Sequence, residues 1–213
     1  MGLKINTGTE VLLQQNEWVD AKEIQGTDET VLNSPVMIKA QERILEKFKP
    51  KNKIAFVSLC TSTRPYSKSR KWKQFKNSFK NVDFIISSNG GVIPIEYEDA
   101  YPYMTYDAHG QKQYDELYII YTSRNLIRFF TLKKYNYVMF NFRPTLRNHK
   151  AGKLAGKYLK NKKHIKNYYI CPDLNIYEMA RKDGFSKLGL SMYPDIHPII
   201  LNDMKDKIER LVE

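Results

Sequence analysis

A short, mostly apolar run at residues 54–59 leads directly into a polar segment, and this junction constrains the fold more than any other feature of the chain. A run of this length and composition predicts a buried strand. Residues 60–69, CTSTRPYSKS, then bring a thiol, a guanidinium and a phenol, and a helix capped by Ser69 is predicted to follow. Because open α/β sheets bind ligands where their strands end in loops, this junction is a candidate site.

Short apolar runs alternate with amphipathic segments along most of the chain. Strands are predicted at residues 54–59, 83–88, 135–141 and 168–171. Helices are predicted at residues 35–48, 69–80, 112–131, 148–161, 174–183 and about 198–212. This alternation is typical of an α/β fold, so we expect three layers, α/β/α, around a central and mostly parallel sheet of about four strands.

The chain is long enough for one substantial core. Its 213 residues, 42% of them hydrophobic, predict a single α/β domain at 34–213 after a weakly patterned N-terminal extension at 1–33. No apolar run is as long as a membrane span and no secretory signal is present, so we expect a cytoplasmic protein without a membrane partner. The two cysteines and four histidines lack metal-ligand spacing, and neither a metal nor a cofactor is predicted.

Basic residues are distributed unevenly within the net charge of +12. Residues 117–172 contain thirteen Lys and Arg and no acidic residue, and residues 47–82 also lack acids. Such one-sided charge is typical of a surface that binds a nucleic-acid backbone, although a solvated basic face is the alternative. The predicted nucleic-acid-binding residues are Lys68, Arg70, Lys71, Lys73, Arg143, Arg147, Lys160, Lys162 and Lys163.

The junction at residue 60 resembles a signature of the archaeosine synthase family. That signature is Cys, three residues, Lys-Pro-Tyr, two residues, Ser, two residues, His; Cys60, Arg64-Pro65-Tyr66 and Ser69 follow its spacing. Arg64 replaces the family lysine, and Trp72 replaces the histidine. A second block at 85–98, followed by Tyr-Pro at 101–102 and Tyr-Asp at 106–107, resembles another family block in the same order, so the resemblance covers about residues 34–131.

The resemblance implies a fold similar to that of uracil-DNA glycosylases and a base-modifying transferase. Such an enzyme would add an amine, from lysine or another amino acid, to a 7-cyano-7-deazaguanine-type or other modified base in tRNA or DNA. The implied partners are nucleic acid, an amino-acid co-substrate and a separate protein that completes the modification. Two alternatives remain open: a glycosylase-like enzyme that excises or exchanges a base, and a non-catalytic nucleic-acid-binding module.

Cys60, Glu96 and Asp107 are the predicted catalytic residues. A thiolate at Cys60 would add to a nitrile carbon and divide the reaction into two easier steps, whereas the alternative is a small buried residue at the end of a strand. Glu96 lies in the second block and Asp107 in the Tyr-Asp pair that follows it, and we expect them to hold the ammonium group of the donor and remove its proton.

The predicted substrate-binding residues flank these three in sequence. They are Arg64, Tyr66, Ser69, Asn89, Gly90, Gly91 and Tyr106. Arg64 would hold a phosphate or carboxylate, and Tyr66 would stack on the base. Ser69 is equally explained as a helix cap, and Asn89 with the two glycines as a tight turn.

Overall fold

The computed structural model describes residues 10–109, 115–144, 146–186, 188–190 and 193–212, except the side chains of residues 21, 28, 29, 107–109 and 212. The strands are β1 Gln25–Thr27, β2 Ile54–Leu59, β3 Val82–Ser88, β4 Gly91–Pro94, β5 Asp107–His109, β6 Tyr137–Asn141 and β7 Asn167–Cys171. The helices are α1 Asp28–Leu32, α2 Pro35–Lys47, α3 Arg70–Ser78, α4 Asp115–Leu132, α5 Arg147–Asn161, α6 Leu174–Asp183 and α7 Pro198–Val212.

A five-stranded sheet in the order β4-β3-β2-β6-β7 forms the centre of the fold. β2 pairs in parallel with both β3 and β6, and β7 continues the parallel order, while β4 alone is antiparallel. The predicted α/β class and mostly parallel sheet are therefore confirmed. The additional strand, β4, escaped prediction because it has only four residues and carries a glycine and a proline at its ends.

Helices cover both faces of this sheet. Phe56 of β2 packs against Phe75 of α3, with 4.9 Å between ring centroids. Val57, the next residue of β2, points to the opposite face, and Phe140 of β6 pairs with it in register. On that face Phe140 contacts Phe130 of α4. Hence α3 lies on one face and α4 on the other, and the chain forms three layers.

The predicted N-terminal extension packs into the same core where the structure describes it. Leu13, Ile24 and Val31 are buried and join the hydrophobic cluster of the sheet. β1 and β5 form a separate two-stranded parallel sheet next to this segment. The apolar residues of the N-terminal extension are too widely spaced to produce a helix or strand periodicity, which is why the sequence shows no clear pattern there.

A buried carboxylate fixes the edge at which the parallel strands begin. Asp83 accepts hydrogen bonds from the backbone N–H groups of Lys51 and Asn52, from Asn52 Nδ2 and from Tyr135 Oη, at 2.7–3.3 Å. Lys51 and Asn52 precede β2, Tyr135 precedes β6, and Asp83 itself lies near the start of β3. Its side chain therefore links the first residues of three neighbouring strands. We call this the amino edge, and the opposite edge, where β2, β3, β6 and β7 end, the carboxyl edge.

Among the helices described, none has the length and apolar character required to cross a membrane.

Gly156 of α5 provides a test of this packing. A Cβ at this position would lie 2.4 Å from a ring carbon of Tyr168 and 2.7 Å from its Cγ. Replacing a helical glycine by alanine gains about 1 kcal/mol in helix propensity, but overpacking costs about 1–3 kcal/mol. We expect Gly156→Ala to lower the free energy of unfolding in urea, with the exposed neighbour Lys157→Ala as the control; a more stable Gly156→Ala protein would contradict this packing.

Candidate functional site

Cys60 lies at the middle of the carboxyl edge. It follows the central strand directly, and its backbone N–H donates to the carbonyl of Ser87 at 3.2 Å, extending the pairing of β2 with β3 by one residue. Its side chain is partly exposed, unlike the rest of the strand core. The sequence-based placement of Cys60 where a buried strand meets a loop is confirmed.

A pair of buried tyrosines adjoins Cys60. Tyr66 Oη and Tyr106 Oη share a hydrogen bond of 3.0 Å, although the residues come from different loops. Burial raises the pKa of Tyr106 to about 12, with a further contribution from the nearby Cys60. Burial also raises the pKa of Tyr66, and the neighbouring Tyr106 is the second cause that raises it. Both phenols therefore stay protonated at neutral pH and can donate hydrogen bonds.

Arg64 places its positive charge against the same tyrosines. Its guanidinium carbon lies 4.3 Å from the ring centroid of Tyr106 and 5.7 Å from that of Tyr66. One of its nitrogens donates to the backbone carbonyl of Tyr106. This arrangement stacks a cation on the aromatic pair and ties the loop after β2 to the segment before β5.

Tyr118 of α4 is a third buried phenol near Cys60 that the sequence did not reveal. Asn148 Nδ2 donates to its hydroxyl at 2.8 Å, and the Arg147 guanidinium lies 3.5 Å from its ring centroid. Burial is the main cause that raises its pKa, and Cys60 contributes to the shift. Because Tyr118 occurs within an ordinary amphipathic helix, only the structure distinguishes it from a core residue. Arg147, a predicted nucleic-acid contact, also pairs with Asp115 at 3.2 Å.

Glu98 holds the loop that carries Tyr66. Its carboxylate accepts a hydrogen bond of 2.7 Å from the backbone N–H of Ser67, and its side chain is buried. Burial raises the pKa of Glu98 despite this hydrogen bond. The sequence favoured Glu96, two residues earlier, over Glu98, so this positioning role was missed.

The structure does not bring Glu96 together with Cys60. Glu96 pairs with Lys51 at 2.9 Å, at the amino edge, because the antiparallel β4 carries the chain back toward the start of β2. The six residues of β2 separate the two edges by about 20 Å. This placement argues against the predicted catalytic role of Glu96. Asp107 has its backbone in β5, and its side chain lies outside the described part of the chain.

The glycines at the β3–β4 turn serve close packing. Ser88 pairs with Gly91, so Asn89 and Gly90 form a two-residue turn at the carboxyl edge. A Cβ on Gly90 would lie 2.4 Å from Met37 Cε and 3.2 Å from the Tyr106 ring. Gly91 has a φ of 120°, which side chains rarely adopt. Both positions thus fit the turn alternative raised by the sequence, with Gly90 also leaving room for Tyr106.

Polar side chains on the α3 face of the sheet approach the same edge. Lys71 was predicted to contact nucleic acid, but it is only 4% exposed, and its ammonium donates to the carbonyl of Leu59 at 2.8 Å. Arg143, predicted likewise, pairs at 3.2 Å with the buried Asp195. Burial lowers the pKa of Lys71, and Asp195 opposes the shift. Lys71 therefore belongs to the interior of the site, whereas Arg143 is partly exposed and is paired with a buried carboxylate.

Ser69 and Asn141 complete this side. Ser69 Oγ accepts from the backbone N–H of Trp72 at 3.3 Å, which confirms the helix-cap alternative. Asn141, at the end of β6, donates from Nδ2 to Ser58 Oγ at 3.0 Å. Its Oδ1 is buried and has no hydrogen-bond partner among the described residues.

Cys171 is separate from this chemistry. It is buried beside Lys207 of α7, and burial raises its pKa to about 12. Such a thiol is inert at neutral pH.

The remaining predicted basic residues divide between the two edges. Lys68, Arg70 and Lys73 are exposed near the start of α3, beside the carboxyl edge. Lys160, Lys162 and Lys163 are exposed at the end of α5, where the chain turns to enter β7 at the amino edge. In the part of the chain that the structure describes, no group of three or more His, Cys, Asp or Glu could hold a metal ion.

Comparison with known proteins identifies a family of undetermined function. A family model described as a domain of unknown function, DUF5591, matches residues 37–159, more than half of the chain. The chain belongs to this family. The DUF5591 region contains Cys60, Lys71 and all three tyrosines, whereas Asp195 lies beyond it.

One solved structure is similar, and its description reads "Crystal structure of AF0587, a protein of unknown function". It has 23% sequence identity and a TM-score of 0.46, and the match covers 61% of this chain and 42% of that one. The chain thus spans less than half the length of that protein. A search with the present chain found no match among curated proteins.

The buried carboxyl group of Glu98 predicts a pH dependence of stability. The pKa of Glu98 is higher in the folded than in the unfolded protein, so protonation of this carboxyl group stabilises the fold. This contribution is fully present at pH values below the pKa of the unfolded state. This stability is lost as pH rises through the folded pKa. We expect Glu98→Gln to flatten the dependence of unfolding free energy on pH, measured in urea between about pH 4 and 7. Glu46→Gln, at an exposed position of α2, is the control; identical pH profiles for Glu98→Gln and the parent would show that Glu98 titrates normally.

Proposed function

We propose that this protein is a transferase that attaches an amine, from lysine or another amino acid, to a 7-cyano-7-deazaguanine-type base in tRNA or DNA. One observation carries the proposal: the partly exposed Cys60 lies at the carboxyl edge near the buried phenols of Tyr66 and Tyr106, and the buried Lys71 bonds to the carbonyl of the residue before it. The residues that carry the resemblance to archaeosine synthases, Cys60, Arg64 and Tyr66, are the ones that meet there.

The reaction suited to this arrangement is an addition followed by a displacement. The Cys60 thiolate forms an S–C bond with the nitrile carbon, one C–N π bond breaks, and the nitrile nitrogen takes up a proton to give a thioimidate. The donor amine then adds to the same carbon and loses a proton, and the C–S bond breaks to release the thiolate. The product is an amidine that contains every atom of both substrates, so no oxidant or reductant is required.

The tyrosines and Arg64 suit the binding of the modified base. A flat base can stack on an aromatic side chain, and a neutral phenol can donate to a ring nitrogen or carbonyl. Arg64, stacked on Tyr106, supplies a fixed positive charge for a phosphate or for the carboxylate of the donor. Because the phenols are buried and bonded to each other, their positions are set before the substrate arrives.

Nucleoside mass spectrometry tests the function directly. We expect tRNA or DNA containing 7-cyano-7-deazaguanine, incubated with the protein and single amino acids, to yield a nucleoside heavier by the mass of one amino acid. Cys60→Ser should abolish this product, because a serine hydroxyl is far less nucleophilic at neutral pH. Cys171→Ser is the matched control, since that thiol is buried beside α7.

The same experiment separates the alternatives. Release of a free base without a mass gain would indicate the glycosylase-like reaction, and binding without any product would indicate the non-catalytic module. Full activity of Cys60→Ser would exclude the covalent step while leaving the transferase class in place.

The position of the basic residues predicts the salt dependence of nucleic-acid binding. If the base reaches Cys60, the phosphates lie beside the carboxyl edge, near the exposed Lys68 and Lys73. The logarithm of the binding constant for nucleic acid falls linearly with the logarithm of the salt concentration. We expect the double change Lys68→Gln and Lys73→Gln to make this slope less steep by about 0.7–0.9 per lost phosphate contact. An unchanged slope would exclude docking at this edge.

Lys160, Lys162 and Lys163, changed together to Gln, provide the comparison at the amino edge. A similarly less steep slope would show that the bound nucleic acid also contacts the amino edge, as the sequence predicts. No decrease would confine the nucleic acid to the surface around Cys60.

A further inference from the structure

Lys71 has surroundings that an ordinary surface lysine does not have. It lies in the first turn of α3, within a run of basic residues, yet its side chain is buried. Lysines are almost never fully buried unless they are paired. Within the described residues, no carboxylate oxygen lies within ion-pair distance of its ammonium, and its observed hydrogen bond goes to the carbonyl of Leu59. A structural ion pair therefore does not account for this lysine.

The groups that face Lys71 come from several elements. β2 contributes the Leu59 carbonyl, one peptide bond before Cys60, at 2.8 Å from Nζ. The segment after β6 contributes Arg143, and the short helix at 194–196 contributes Asp195, which are paired with each other at 3.2 Å. The ring of Trp72 has its centroid 5.9 Å from Nζ. The thiol of Cys60, the residue after Leu59, is close enough to favour the charged form of Lys71, as Asp195 also does, so we consider a proton shared between the thiol and the amine.

We propose that Lys71 exchanges protons with Cys60 and then with the reacting nitrogen, as the general base and acid of the site. Its neutral amine removes the proton of the Cys60 thiol and becomes an ammonium, leaving a thiolate. After the S–C bond forms, the ammonium returns that proton to the former nitrile nitrogen. The neutral amine then accepts the proton that the donor amine loses when the C–S bond breaks and the thiolate leaves. The last two steps rest on the proposed function, whereas the first does not.

Burial supports this role because it disfavours the charged form of the amine. It is the largest cause that lowers the pKa of Lys71, while Asp195 and Cys60 act in the opposite direction. A lysine whose pKa is lowered gives up its proton more readily than an ordinary lysine, whereas an arginine stays protonated.

Asn141 gives independent support for a ligand on the face of the sheet that carries this amine. Its hydrogen bond to Ser58 places it on the face that α3 covers, because Ser58 and Phe56 point to the same side of β2. Its buried Oδ1 lacks a hydrogen-bond partner in the described structure. Buried acceptors are normally satisfied, so this oxygen can take an N–H from a bound substrate.

The first step can be tested without nucleic acid. In a Cys171→Ser background, the rate at which iodoacetamide alkylates Cys60 is measured against pH by intact-protein mass spectrometry. We expect Lys71→Met to move the midpoint of this profile upward and to slow alkylation at pH 7 by roughly tenfold or more, since a nearby opposite charge shifts a pKa by about 1–3 units. Lys76→Met, exposed on the same helix, is the matched control and should leave the profile unchanged. An unchanged midpoint in Lys71→Met would overturn the proposal.

Lys71→Arg separates proton exchange from charge alone. Arginine keeps a positive charge beside Cys60, so alkylation should stay fast, but transfer to the base should be lost because arginine does not release its proton. Full transfer activity of Lys71→Arg would also overturn the proposal. We expect Lys71→Met to fold, since an apolar side chain of similar length avoids the cost of burying a charge, and thermal unfolding checks this.

The two hypotheses fail in different ways. A shifted alkylation profile in Lys71→Met, with no nucleoside product from the parent protein, would retain the pairing of Lys71 with Cys60 and reject the transferase. A nucleoside product with an unshifted profile would retain the transferase and reject the role of Lys71.

Discussion

The hydrogen bond from the Cys60 backbone to the Ser87 carbonyl anchors the candidate site to the sheet. β2 is the central strand and is paired along its length with β3 and β6, so its end cannot move without breaking two rows of hydrogen bonds. The other parts of the site are attached to this point. Lys71 bonds to the carbonyl just before Cys60, and the turn after β3 leaves room for Tyr106. The rigidity of the core thus sets the distances between groups that come from different loops.

Buried polar groups at the two edges of the sheet have different partners. At the carboxyl edge it raises the pKa of Tyr66 and Tyr106 and lowers that of Lys71, so acid and base are both biased toward their neutral forms. At the amino edge, Asp83 is surrounded by four donors, which compensate the burial of a carboxylate. Asp83 is thus satisfied by hydrogen bonds, whereas Lys71 is buried without a carboxylate partner within ion-pair distance among the described residues.

Local patterns in the sequence were sufficient for the features that depend on neighbours along the chain. The strand before Cys60, the cap at Ser69 and the alternation of strands and helices follow from apolar runs and short-range hydrogen bonding. The sequence favoured Glu96 over Glu98 because the positions of both residues depend on an antiparallel strand with only four residues, which the sequence did not reveal. Lys71 occurs among exposed lysines, and only the way α3 packs on the sheet shows that its ammonium turns inward.

The buried polar groups also show that the site extends beyond the region shared with the family. The DUF5591 match ends at residue 159, but Asp195, which opposes the pKa shift of Lys71, comes from the short helix before α7. Asp195 is held by Arg143, which lies within the matched region. Pairing Asp195 with Arg143 keeps a buried negative charge near Lys71 without neutralising the lysine directly. The segment after residue 159 therefore contributes to the charge balance around Cys60, and the electrostatics of this site depend on residues outside the family match.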